Sequence, residues 1–186
     1  MADDGIEITT GLEFAQPVEK LIPTADKTKR VEPKGVIQPG DLHIFLTEAI
    51  LREVVEWSNT DLGHELGGIF VGDLYSWKGL PYLEIAGYVK AQRYTHTAAS
   101  FTFTHDTWSA ISRDCEQRFN DKLRVGWHHT HPGYGVFLSG MDQFIHRNFF
   151  NLPWMFAMVV DPKQETLGFF QMRKNKIEHI GFFFVR

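Results

Sequence analysis

Val125–Asp142, VGWHHTHPGYGVFLSGMD, is the stretch whose reading decides the fold. It opens as a strand, with Val125 and Trp127 alternating with polar positions, and closes on the first turn of a helix. His129 and His131 stand two apart within it. On a strand that spacing places both imidazoles on one face, roughly 6–7 Å apart at Cα, from where they can converge on one small cation. Asp142 offers a carboxylate oxygen as third donor once the intervening loop folds the chain back. Two histidines, one carboxylate and an open position describe a catalytic zinc site better than a closed structural one.

The turn Ser139-Gly-Met-Asp142 supports two compatible readings. In one, Ser139 is an N-cap and Asp142 the acidic N3 partner of a capping box, stabilising a helix Gly140–Phe149 without chemistry. In the other, the same turn presents Asp142 to a metal and the Ser139 hydroxyl to a substrate oxygen. A cap alone does not call for two histidines upstream.

Length and composition limit what such a site serves. A chain of 186 residues with 43% hydrophobic composition builds one well-buried core and is short for two. Its 19 basic and 23 acidic residues give a net charge of −4 with no dense basic tract, so nucleic acid is a poor partner. Cys115 is the single cysteine, which excludes an intrachain disulfide and a thiolate cluster. The strongly apolar stretch Phe149–Val160 carries Asn151 and Pro153 and is too short to span a bilayer. The acidic start is unlike a secretory signal, and cytoplasmic residence is the default expectation.

Residues 1–40, interrupted by Pro17, Pro23, Pro33 and Pro39, are expected to form a partly ordered arm, with partner binding as the alternative. Residues 41–186 are expected to form the domain. Leu42–Leu46 reads as a strand and Thr47 as the N-cap of a helix to about Ser58, with Ile50, Leu51, Val54, Val55 and Trp57 as its core stripe. In HELGGIFVG, His64–Gly72, Glu65 is a carboxylate at the edge of a buried strand. Tyr75–Pro81 is expected as a loop and Tyr82–Val89 as the next strand. Phe101 and Phe103 alternate before a helix beginning near Asp106, on which Trp108, Ile111, Cys115 and Phe119 form a second stripe. Cys115 there is a small buried hydrophobe. Alternation turns His128 away from His129 and His131, to the second face or the rim. His64, His96 and His105 are candidates for a cleft rim, whereas His43, His146 and His179 have no motif around them. Trp154–Val160, Leu167–Met172 and Ile177–Val185 complete the sheet through two hairpins. The expected class is α+β: one mixed, largely antiparallel sheet with two or three helices against it.

Together, Glu65 in HELGGIFVG, His129-Thr130-His131-Pro132 and Ser139-Gly-Met-Asp142 resemble the JAMM metalloprotease motif of the MPN (JAB1/MPN/Mov34) family. Seven residues separate His131 from Ser139 and two separate Ser139 from Asp142, and the full set in order is specific. The resemblance covers about Leu42–Val185. It implies a curved sheet flanked by helices and a zinc hydrolase cutting isopeptide bonds at the C-terminus of ubiquitin or ubiquitin-like proteins. By the same resemblance His129, His131 and Asp142 are the zinc ligands, Glu65 the general base and acid, and Ser139 the oxyanion stabiliser. His128 stands where the family usually has an aromatic residue. The short step from Phe149 to Trp154 and the end at the last strand resemble a compact member of prokaryotic kind more than a subunit of the large eukaryotic complexes. Two other readings accompany the isopeptidase: a peptidase trimming a ubiquitin-like or sulfur-carrier precursor or releasing a small amino acid from its C-terminus, and a non-catalytic MPN scaffold.

Overall fold

Alternation along the histidine-bearing segment builds the central strand, and the rest of the sheet grows outward from it. The computed structural model describes residues 16–91, 105–174 and 176–186. His96, Phe101, Phe103 and the side chain of His105 lie outside that description. In chain order the strands are β1 (Val18–Glu19), β2 (Val31–Lys34), β3 (His43–Thr47), β4 (Gly67–Trp77), β5 (Leu80–Lys90), β6 (Leu123–Thr130), β7 (Phe156–Asp161), β8 (Thr166–Arg173), β9 (Lys176–Ile180) and β10 (Phe182–Val185). Among the described residues three α-helices accompany them: α1 (Glu48–Ser58), α2 (His105–Phe119) and α3 (Gly140–Phe149).

The strands form one sheet in the order β2-β10-β3-β5-β4-β6-β7-β8-β9, with β1 added beside β4. Antiparallel pairs include β4 with β5 and β6, and β8 with β7 and β9; parallel pairs join β3 to β5 and β10, and β6 to β7. Strands β9 and β10 stand near opposite ends of that order, yet only Gly181 separates them in the chain. The sheet therefore curves round until its two ends approach. This is the expected curved, mixed sheet flanked by helices.

Each face carries its own core. Ile44, Leu46, Phe70, Tyr88, Phe156, Met158 and Phe169 pack towards α1, where Val54 is fully buried. Ile69, Val71, Val89, Trp127, Ala157 and Val159 pack on the other face with Ile111 and Cys115 of α2 and Ile145 of α3. The adjacent residues Ile69 and Phe70 thus serve opposite faces, as the two-residue period of a strand requires. Thr47 caps α1 through its side-chain oxygen, which accepts the Ile50 N–H. Leu51, Val54 and Trp57 pack inward, but Val55, expected in that stripe, is 37% exposed because it lies on the solvent side of the helix.

Two expectations are corrected here. Tyr75–Pro81 is no loop: β4 and β5 run to within two residues of each other, and Lys78 and Gly79 turn the hairpin with φ of 52° and 79°. Two consecutive positive φ values match the right-handed twist of the flanking strands. The closing run Ile177–Val185 is two strands, broken at Gly181, because β9 completes one end of the sheet and β10 inserts between β2 and β3.

The alternation of Val125 with Trp127 also breaks. Opposite β4, the pairing steps from Phe70↔Gly126 to Val71↔Arg124 and skips Val125. The extra residue makes a bulge that sends Val125 to the α1 core and leaves Trp127 on the other face. From Trp127 onward the alternation is regular, and this places His129.

Candidate metal centre

The centre is assembled where β6 leaves the sheet and α3 begins. His129 is on β6, paired with Gly67 of β4 on one side and Val159 of β7 on the other. His131 follows the strand end, fixed by its N–H to the Val160 carbonyl at 2.8 Å. Asp142 lies in the first turn of α3. All three are buried.

His129 Nε2 and His131 Nε2 are 3.1 Å apart, and Asp142 Oδ2 stands 3.3 Å from the first and 3.5 Å from the second. Among the described residues this is the group placed to hold a metal ion. The separations test which ion. Zinc bonds of about 2.0–2.1 Å to nitrogen and oxygen in a tetrahedron imply ligand–ligand edges of roughly 3.3–3.4 Å, and the three observed edges bracket that value. Two imidazoles and one carboxylate also suit zinc chemically and leave a fourth position.

The capping reading of the Ser139 turn is present in full. Ser139 Oγ accepts the Asp142 N–H at 3.2 Å, and Asp142 Oδ2 accepts the Ser139 N–H at 2.7 Å, a complete capping box. Because Ser139 Oγ is the acceptor in its bond, the hydroxyl proton remains for another partner. Burial by itself would raise the Asp142 carboxyl, but hydrogen bonding to His129 and His131 outweighs it and holds the group far below the usual carboxylate range. Burial would likewise lower His131, whereas Asp142, Glu65 and the Gly135 carbonyl together keep it above its ordinary value.

Glu65 stands just before β4. Its Oε1 is 3.8 Å from His131 Nε2, adjacent to the triad and outside it. The segment is tied to the histidine strand by two reciprocal bonds: Leu66 N–H to Thr130 Oγ1 and Thr130 N–H to the Leu66 carbonyl, both 2.8 Å. Thr130 thus sets the register that brings the carboxylate to the centre. Beside Glu65 lies a cleft of 80 Å³ lined also by Leu62, Gly63, His64, Pro132, Tyr134 and Lys163. His64 is at that rim, bonded to Asp61 at 2.9 Å. His43 lines a larger apolar cavity of 680 Å³ together with Leu42, Leu74 and Trp154, none of them part of the triad.

The remaining surroundings orient the rings. Trp127 stacks on His129, with centroids 4.5 Å apart and planes at 13°, and its indole N–H donates to His146 Nδ1 at 3.2 Å. His146, which no sequence motif flagged, is fully buried on α3, and burial pushes it down to about 4. His128 points to the other face, as alternation required, and is fully buried there. Its Nδ1 meets Tyr88 Oη at 2.9 Å and its Nε2 meets Ser58 Oγ at 3.2 Å. Ser58 already donates its proton to the Val54 carbonyl, so His128 carries its hydrogen on Nε2 and accepts from Tyr88. Burial, then the neighbouring His129, hold His128 well below its ordinary value. It is a neutral strut between α1 and β6.

Asp161, at the end of β7, reads in the sequence only as a turn residue. In the structure it is a fully buried carboxylate satisfied by main-chain donors. Four backbone N–H groups surround it: Gly133, Lys163 and Gln164 at Oδ1, and Gly135 at Oδ2. Burial would raise this carboxyl, and the four amides hold it low.

No family model matches the chain. Among curated proteins it is 28% identical over 127 residues to the 26S proteasome regulatory subunit RPN11 of Eremothecium gossypii, a match covering 67% of this chain and 40% of that protein. It is 38% identical over 61 residues to the COP9 signalosome complex subunit 5 of Caenorhabditis elegans, covering 31% and 16%. It is 35% identical over 63 residues to the STAM-binding protein-like A of Danio rerio, covering 33% and 15%. The matches thus span less than half the length of these relatives. The solution structure of protein DSY2949 from Desulfitobacterium hafniense superimposes with a TM-score of 0.55 at 16% identity over 73% of this chain and 88% of that one, a likeness of fold.

Proposed function

Starting from a chain that is a JAMM/MPN-type domain, homologous to RPN11, to signalosome subunit 5 and to the STAM-binding protein, we propose that it is a zinc metallopeptidase. Its substrate in this reading is an isopeptide bond at the C-terminus of a ubiquitin or ubiquitin-like modifier. The observation that carries it is the convergence of His129 Nε2, His131 Nε2 and Asp142 Oδ2 within 3.5 Å of one another, with the Glu65 carboxylate 3.8 Å from His131. One relative, the ubiquitin carboxyl-terminal hydrolase RPN11 of Saccharomyces cerevisiae, supports the substrate class.

His129, His131 and Asp142 would hold the zinc, which when bound supplies Lewis-acid polarisation and a more acidic water. Glu65 accepts the proton of the attacking water at its carboxylate and returns it to the departing lysine amine, which leaves poorly unless protonated. The Ser139 hydroxyl, whose proton the capping bond does not use, donates to the carbonyl oxygen as negative charge develops there. Burial of the triad excludes bulk water and strengthens these interactions. No acyl-enzyme is required.

The segment 1–40 is the proposed partner-binding arm beside the domain 41–186. Its described part contributes β1 and β2 to the sheet and leaves Val18 and Val36 exposed, which supports a surface for a partner. No described helix is long and apolar enough to cross a membrane, and a cytoplasmic setting is part of the same proposal.

The deciding test is a substrate panel of ubiquitin-like isopeptide conjugates, linear precursor fusions and C-terminal amino-acid adducts, with products read by intact mass. Zinc-loaded protein is compared with Glu65→Gln. Glu65-dependent release of a lysine-bearing product is the expected result. Release of only a linear extension or a single amino acid transfers the proposal to precursor processing, and a zinc-loaded protein that cuts nothing in the panel leaves the scaffold reading standing.

A further inference from the structure

The loop after His131 is held from outside by one carboxylate. Gly133 and Gly135 both adopt left-handed φ, +89° and +86°, a conformation that glycine reaches without a steric cost. These two turns fold residues 132–135 back so that the Gly135 carbonyl oxygen meets His131 Nδ1 at 3.2 Å. The same two glycines donate their N–H groups to Asp161, Gly133 to Oδ1 and Gly135 to Oδ2, each at 2.8 Å. Asp161 is itself anchored by strand pairing in β7 and by the Lys163 and Gln164 amides of the turn that follows.

We infer that Asp161 is a positioning residue for the metal centre: by gripping both glycine amides it holds the Gly135 carbonyl on His131 Nδ1, which fixes His131 as the Nδ1–H tautomer with its Nε2 lone pair aimed at the ion. A carbonyl accepts only from N–H, so the ring hydrogen must sit on Nδ1, and Nε2 is left as the ligand atom facing His129 and Asp142. An oriented, hydrogen-bonded ring loses no rotational freedom on binding and is a stronger donor. The inference rests on the reading of His131 as a metal ligand. Asp161 itself touches neither the ion nor a substrate.

Asp161→Asn isolates the relevant bond. Asparagine keeps one acceptor oxygen, which satisfies the three amides now on Oδ1, and places an NH₂ where Oδ2 faced Gly135, so donor meets donor at that single contact. Gly135→Ala perturbs the same carbonyl from the other side by straining φ, and leaves the Asp161 carboxylate and its bonds to Lys163 and Gln164 in place. Val54→Ala, a core truncation under α1, is the control for general destabilisation. Zinc affinity is measured for each folded protein by competition with a chromophoric chelator.

The expected result is a loss of affinity on the order of 10- to 100-fold for Asp161→Asn, a loss in the same direction for Gly135→Ala, and wild-type affinity for Val54→Ala. Wild-type affinity in a folded Asp161→Asn overturns the inference, as does an equal loss in Val54→Ala. If Asp161→Asn does not fold, Gly135→Ala decides alone. A wild-type protein that binds no zinc overturns instead the underlying metal assignment, so the two failures are distinct.

Discussion

Ser139 and Asp142 bond each other twice, and the Asp142 oxygen that accepts the Ser139 N–H at 2.7 Å is also the one that faces both histidines. The helix cap therefore aims the ligand. A carboxylate pinned by a main-chain amide loses little freedom when it takes up an ion, and the first-turn position adds the favourable field of the helix N-terminus.

Ser139→Ala separates the capping bond of the serine from its proposed oxyanion role. The main-chain N–H that holds Asp142 Oδ2 is retained, so zinc binding is expected to stay near wild type. Loss of the side-chain cap is expected to cost about 1 kcal/mol, roughly 2–4 °C in melting temperature for a chain of this size. Turnover on the substrate found in the panel is expected to fall by ~10²–10³. Unchanged turnover removes Ser139 from oxyanion stabilisation, and lost zinc shows that the hydroxyl and not the amide orients Asp142.

Glu65→Gln keeps size and shape while removing the carboxylate proposed to accept the proton. Since Glu65 Oε1 lies outside the triad, 3.8 Å from His131, zinc stoichiometry by elemental analysis is expected to match wild type. Turnover is expected to drop by ~10²–10⁴. A variant that turns over normally assigns proton transfer to another group.

Metal removal should register in stability as well as activity. Three buried donor atoms within 3.5 Å of one another are held together by the fold, and the unfolded chain offers no such cluster. Binding restricted to the native state contributes ~4 kcal/mol when free zinc exceeds its dissociation constant a thousandfold. Thermal melts with chelator and with restored zinc are expected to differ accordingly. The zinc-dependent gain is expected to vanish in His129→Ala; a gain that survives there places the stabilising ion elsewhere.

The triad was legible because its information is local: two histidines at strand spacing, then a capping signature whose N3 acid is the third donor. Helix α3 was legible to the residue for the same reason, since Ser139 and Asp142 mark its start. The bulge at Val125 was not, because the skipped pairing belongs to β4 and β6 together and leaves no mark on either alone. Gly181 between β9 and β10 reads as one glycine in an apolar run, and only sheet closure turns it into a break. Asp161 and His146 escaped because their partners, the Gly133 and Gly135 amides and the Trp127 indole, are 19 to 28 residues away. The Lys78-Gly79 hairpin reads as a longer loop because a lysine at positive φ gives no sequence signal as strong as Asn-Gly.

His146 should make stability depend on pH in a defined window. Burial lowers it from 6.5 to about 4 in the folded protein, so the neutral ring is the form that the fold accepts. A depressed folded value means that its contribution is fully present above pH 6.5 and is lost as pH falls towards 4, because the unfolded chain then binds a proton that the native state refuses. The shift corresponds to about 3 kcal/mol of lost stability at pH 4. His146→Gln retains an acceptor for the Trp127 indole N–H and cannot take up that proton. Urea unfolding at pH 7, 6, 5 and 4 is expected to give a curve for the variant that is flatter than wild type by about that amount. His128, also buried and lowered, contributes equally to both proteins and cancels from the difference. Parallel curves would show that burial does not hold His146 neutral in the fold.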